Sequence, residues 1–265
     1  MSLVQQLQTK LKTGNWIFDD VSPSFQRQLE KKVNSQKLNK NISELCLAHY
    51  KKLSLSETMV NSSTRGLSDI NISAQTLNAI ENILSTEYPG SHVKQFENMV
   101  SEKLNRSLHF IETLNPLVYP LIDRTITLFL RVSGVSFRSA SHPLLFGIIL
   151  IGDGVEGLSS EQAAVSIIHE LAHQELFLIN LVDRLVNRPF DHNEIHAPFQ
   201  GKKRPPIGRL HSLWALYRMV EFQMLQKNIN QKHLDLLTKN LEAFEDGELT
   251  EMGQILVQVA KERAS

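Results

Sequence analysis

The run His169-Glu170-Leu171-Ala172-His173 carries the clearest chemical signal in the chain. Two histidines four apart on an α-helix differ by about 40° of rotation and about 6 Å of rise, so both imidazoles project from one face. Nitrogens that converge on a point about 2.1 Å from each make the natural start of a metal site. Glu170, rotated away by one residue, lies beside such an ion, where a carboxylate can hold a metal-bound water or orient a ligand.

Two histidines do not complete a site, so the third ligand decides the chemistry. The compact metalloprotease pattern HExxHxxGxxH requires glycine and histidine three and six residues after the second histidine. This chain has Leu176 and Ile179 there, which excludes that subclass. A thermolysin-like arrangement takes a glutamate about twenty residues on. Glu194 lies there, in Asp191-His192-Asn193-Glu194-Ile195-His196, with prolines on both sides. It is the alternative ligand of a zinc peptidase in which Glu170 is the general base. The other candidate is His211, in Arg204-Pro205-Pro206-Ile207-Gly208-Arg209-Leu210-His211, where Pro-Pro and Gly precede a helix and give a rigid mount after a loop. His192 and His196 otherwise read as surface loop, and Trp214 and Tyr217 as core.

The elements that must position these residues follow from pattern. Ser159 with Gln162 has capping-box spacing. Ala164, Ile167, Ile168, Leu171, Leu178 and Val182 then recur at helical spacing until Arg188-Pro189. Upstream, 124–132, 135–139 and 145–151 read as three strands, which implies a small antiparallel sheet across which the long helix packs. Segment 189–206 reads as irregular, 207–226 as a helix, and two more helices finish the chain. Residues 1–115 read as helices near 2–13, after Ser22-Pro23, and at 43–55, 73–86 and 91–114. Ser73 is a candidate N-cap, and Tyr88-Pro89-Gly90 a stop. The expected fold class is α+β, mainly helical: a small antiparallel sheet packed on the long HExxH helix, with a helical cap over residues 1–115 and a metal-binding region over 116–265.

Composition bounds the rest. The 265 residues carry 28 Lys+Arg against 28 Asp+Glu, a net charge of zero. The global basic footprint of a nucleic-acid binder is missing, so partners must be recognised locally. The longest apolar stretch, 144–151, is far short of the roughly 18 residues of a membrane span. The amphipathic N-terminus lacks the apolar core of a secretory signal. Cys46 is the single cysteine; it forms no internal disulfide and reads as packing. A cytoplasmic protein, away from membrane and nucleic acid, is expected.

Phe137-Arg138-Ser139-Ala140-Ser141, Phe146-Gly147, the run HELAHQELFLINLVDRLV, Ala197-Pro198-Phe199 and RPPIGRLHSLWAL together resemble the HExxH-type peptide-modification family of ribosomal peptide natural-product pathways. Its members are iron- and 2-oxoglutarate-dependent peptide β-hydroxylases, and the resemblance covers about a third of the chain. It implies Fe(II) held by His169, His173 and His211, with positions left for 2-oxoglutarate and O2, and a precursor peptide as substrate. The distal carboxylate of 2-oxoglutarate then needs a cationic partner, for which Arg204 is the first choice, Arg209 the second and Arg138 the third. Ser139 and Ser141 are candidates for hydrogen bonds to substrate or cofactor. The N-terminal helices would help form a peptide groove.

Overall fold

A computed structural model of the chain describes residues 2–17, 74–126, 128–187, 195–198, 201–245 and 247–264. The helices expected after Pro23 and at 43–55, together with Cys46, Ser73, His192 and Glu194, lie outside the described residues. In chain order the elements are α1 (Leu3–Lys12), α2 (Ala74–Glu87), β1 (His92–Val93), α3 (Asn98–Leu114), α4 (Val118–Thr125), β2 (Leu128–Ser133), β3 (Ser139–Ala140), β4 (Ile148–Ile151), α5 (Ser160–Val182), β5 (Ile195–Ala197), β6 (Lys202–Arg204), α6 (Pro206–Leu225), α7 (Gln231–Leu241) and α8 (Glu251–Ala264). They fall into two units, Gln26–Gln174 and Met1–Phe25 with Glu175–Ser265.

The first unit holds a four-stranded sheet of order β1-β2-β4-β3. It is mixed, which corrects the antiparallel expectation: β2 and β4 run parallel from Leu128↔Ile148 to Arg131↔Ile151, while β1 and β3 pair antiparallel at the two edges. A parallel pair needs a crossover rather than a tight turn, and residues 134–147 provide one. The chain leaves β2 at Gly134, whose φ of 79° and close approach to the Gly90 carbonyl exclude a side chain. Every residue of β2 and β4 is buried. Strands covered on both faces carry continuous apolar runs, so their sequence does not reveal their direction. Arg131, fully buried in β2, is neutralised by Glu97, Asp153 and Glu156 at 3.0, 3.1 and 2.6 Å.

Helix α5 begins as its sequence predicts. Ser159 N–H donates to Gln162 Oε1 at 3.0 Å, and Gln162 N–H donates back to Ser159 Oγ at 3.3 Å. Further along, the Gln174 amide accepts from Gly147 N–H at 2.9 Å and donates to the Ile148 carbonyl at 3.3 Å. That bidentate link fastens the helix to the start of β4, which fixes the strand against the residues one turn earlier on α5.

In the second unit α6 packs on α7 and α8, and α8 on α1. Segment 189–206, expected irregular, contains the antiparallel hairpin β5–β6 with Ile195↔Arg204 pairing. Its three-residue strands are too short to show alternation, and Lys202-Lys203-Arg204 has no apolar face. The tail of α5 is tied to α6 by Glu175 and Arg218, both fully buried. Glu175 Oε1 accepts from Arg218 Nη2 at 3.0 Å and from Ile17 N–H at 2.9 Å. Its Oε2 accepts from Arg218 Nε at 3.1 Å and Trp214 Nε1 at 2.7 Å. Arg218 also reaches the carbonyls of Gly14 and Asn15, and Trp16 covers its guanidinium at 4.1 Å. Residues 2–17 therefore pack with the C-terminal helices, whereas the sequence reading groups them with a region ending near 115.

Candidate metal centre

The HELAH run lies inside α5. Helical spacing brings His169 Nε2 to 3.0 Å from His173 Nε2, with the rings 4.6 Å apart and nearly perpendicular. At that distance the two nitrogens share a proton as an N–H···N hydrogen bond, or serve one metal ion as neighbouring ligands. Two donors about 2.1 Å from an ion stand about 3.0 Å apart at a right angle and about 3.4 Å apart at the tetrahedral angle. The pair thus stands close enough for both rings to serve one ion. Burial pushes the His169 imidazole down to about 4, so at neutral pH the ring is uncharged and able to ligate.

Glu170 is 2% exposed and reaches toward β3. Ser139 Oγ donates to its Oε1 at 2.8 Å, and Ser141 Oγ to its main-chain carbonyl at 3.5 Å. Burial pushes the carboxyl up to about 7, against the pull of the two serine hydroxyls. Its Oε2 is buried and has no hydrogen-bond partner among the described residues. Of the two serines singled out as substrate or cofactor contacts, Ser139 thus holds the Glu170 carboxylate, a role that the start of a two-residue edge strand does not announce in sequence.

The remaining expected residues divide clearly. His211 sits on α6 in the second unit, its ring 5.1 Å from that of Phe177, which follows His173 by four residues in α5. Among the described residues no three His, Cys, Asp or Glu side chains gather into a group able to hold a metal. Glu194 and His192 lie outside the described residues, and His196 falls on β5. Arg209 is fully buried: it donates to Glu248 at 2.6 Å, to the Arg204 carbonyl at 3.2 Å and to the Ala243 carbonyl, so its guanidinium is committed within the fold. Arg138 is exposed.

Arg204, at the end of β6, has a buried Nε with no hydrogen-bond partner among the described residues. Gly208 makes room for it: a Cβ there would stand 3.3 Å from Arg204 Cδ. An arginine with an unspent donor immediately before a helix start suits an anionic ligand. Trp214 and Tyr217 are core, 0% and 2% exposed. The sequence reading does not single out Gln174, Glu175 or Arg218. The spacing Trp214, Arg218, Glu221 on one face of α6 is the available signal, since an arginine on a buried apolar stripe must bring its own counter-charge.

No protein-family model matches the chain, and no curated protein matches it.

Proposed function

We propose that the protein is an Fe(II)- and 2-oxoglutarate-dependent peptide β-hydroxylase acting on a ribosomally made precursor peptide. The observation that carries this reading is the 3.0 Å separation of His169 and His173 Nε2, close enough for both imidazoles to serve one metal ion. His169 and His173 would hold the iron, with His211 of α6 the third ligand that the resemblance implies; the described residues show no three-ligand group. Ferrous iron, when bound, supplies the oxygen activation that couples decarboxylation of 2-oxoglutarate to oxygen insertion at a β-carbon. The chain's part is placement. Arg204 is the residue to pair with the distal carboxylate of the keto acid, because its Nε is unspent while Arg209 is engaged by Glu248. Three neutral imidazoles leave the full metal charge to attract that dianion. Ser139 holds Glu170 beside the pair, and Gln174 holds the helix that carries all three residues.

A zinc peptidase is the second reading, favoured by one feature: a buried carboxyl raised to about 7 with a free oxygen is what a general base needs. A search for a short precursor-peptide reading frame beside this one, followed by co-expression with the peptide it encodes, tests the first reading. A mass gain of one oxygen atom on the intact peptide is expected; cleavage of the peptide with no gain would reject it in favour of hydrolysis.

A further inference from the structure

The helical N-terminal half carries no chemical motif, yet residues 87–88 lie against the segment that holds Glu170. Glu87 Oε2 stands 3.7 Å from His142 Nε2, and the Tyr88 ring meets Phe137 edge-on with centroids 5.1 Å apart. Phe137 and His142 bracket the two serines whose hydroxyls reach Glu170. Phe137 is fixed from behind, since a Cβ at Gly152 would stand 2.6 Å from its Cδ2. The Tyr88 ring thus packs on Phe137, two residues before the Ser139 whose hydroxyl holds Glu170; burial first, and then the negative charges of Glu170 and Glu87, push its phenol up.

Two polar groups in this small region are unspent. The Tyr88 hydroxyl bonds to none of the described residues. Glu170 Oε2 is buried without a partner among them. One is a donor and the other an acceptor. A buried carboxylate oxygen without a donor is costly, so the arrangement fits a ligand that provides one.

From this arrangement we propose that Tyr88 and Glu170 form a clasp for the substrate main chain: the Tyr88 O–H donates to a peptide carbonyl, and Glu170 Oε2 accepts from a neighbouring peptide N–H. The proposal rests on the peptide reading of the site and names its handle, the backbone rather than a side chain. An amide group is the ligand chemistry that offers both an acceptor and a donor, and backbone recognition leaves side-chain choice to other walls. It also gives the N-terminal half a residue in the site.

The test uses metal-free full-length protein with 13C-labelled tyrosine and acetyl-trialanine amide as probe. The chain has 4 tyrosines, so the signal missing from Tyr88→Phe identifies Tyr88. That signal is expected to shift saturably in the wild type. Tyr88→Phe and Glu170→Gln are each expected to weaken binding about tenfold, the loss of one hydrogen bond to a charged or buried group. A Tyr88 signal that does not move, or variants that bind as the wild type does, would overturn the clasp. Should Tyr88→Phe fail to fold by circular dichroism, Glu170→Gln decides alone. The outcome is separable from the iron reading. A Tyr88 shift with no iron–keto-acid absorption band supports the clasp and removes the oxygenase, whereas the band without the shift does the reverse.

Discussion

Glu170 and Glu175 are both buried carboxylates on the same helix, five positions apart, and they are treated in opposite ways. Glu175 receives four hydrogen bonds, from Arg218 twice, Trp214 and Ile17, and both of its oxygens are satisfied. Glu170 receives one on its carboxylate, from Ser139, and keeps a buried oxygen without a partner among the described residues. A carboxylate that is neutralised and saturated has no capacity left for a ligand; its use is to fix the tail of α5 to α6 and to the N-terminal segment. A carboxylate that is buried, raised to about 7 and half satisfied is held in a costly state, which is the mark of a group reserved for binding or chemistry. The difference separates the residues that make the fold from those that make the site.

The largest effect should come from the saturated partner. Arg218→Ala leaves Glu175 charged and buried with no counter-ion, and about 3–5 kcal/mol of stability should be lost in urea unfolding. A loss under about 1 kcal/mol would mean that the pair does not tie the helices together.

Glu170→Gln should act in the other direction in metal-free protein. The folded carboxyl titrates near 7 and the unfolded one near its ordinary 4.5, so between those values the unfolded chain releases a proton that the folded chain keeps. The wild type therefore loses stability as pH rises from about 4.5 to about 7, and does not regain it above. A glutamine side chain cannot ionise, so the variant should melt several degrees higher than the wild type at pH 8 and at the same temperature near pH 4. A pH-independent difference would contradict the burial-driven shift.

Smaller effects follow from the groups that hold the site. Ser139→Ala removes the hydroxyl that lowers the Glu170 carboxyl and should cost about 1 kcal/mol. It should also extend the pH window of the Glu170→Gln comparison upward, which melting curves of the single and double variants would read. Gly208→Ala intrudes on Arg204 at 3.3 Å and should raise the 2-oxoglutarate requirement a few-fold with little change in stability. An unchanged requirement would take the keto acid away from Arg204.

What can be read from the sequence, and what cannot, follows the range of the interactions. The capping box at Ser159 and the helical run after it are local, and both are found in place. So is the convergence of His169 and His173, which helix geometry alone dictates. The direction of the sheet is not legible, because β3 is two residues long and the β2–β4 pairing is parallel across a crossover, information that apolar runs such as Ile148–Ile151 do not contain. The β5–β6 hairpin is equally hidden, since its KKR strand has no apolar face. Arg209 reads as a free cation in sequence only because Glu248 is distant along the chain. Ser139 reads as a polar residue near the site; that it serves Glu170 depends on a contact across 31 positions.

One titration reaches the central claim most directly: anaerobic addition of Fe(II) and 2-oxoglutarate to the purified protein, followed by visible absorption. A metal-to-ligand charge-transfer band should appear at one iron per chain in the wild type and be lost in His169→Ala and His173→Ala, with Glu170→Gln retaining it. Absence of the band in the wild type, or its survival without either histidine, would contradict the assignment of this helix face as the iron site.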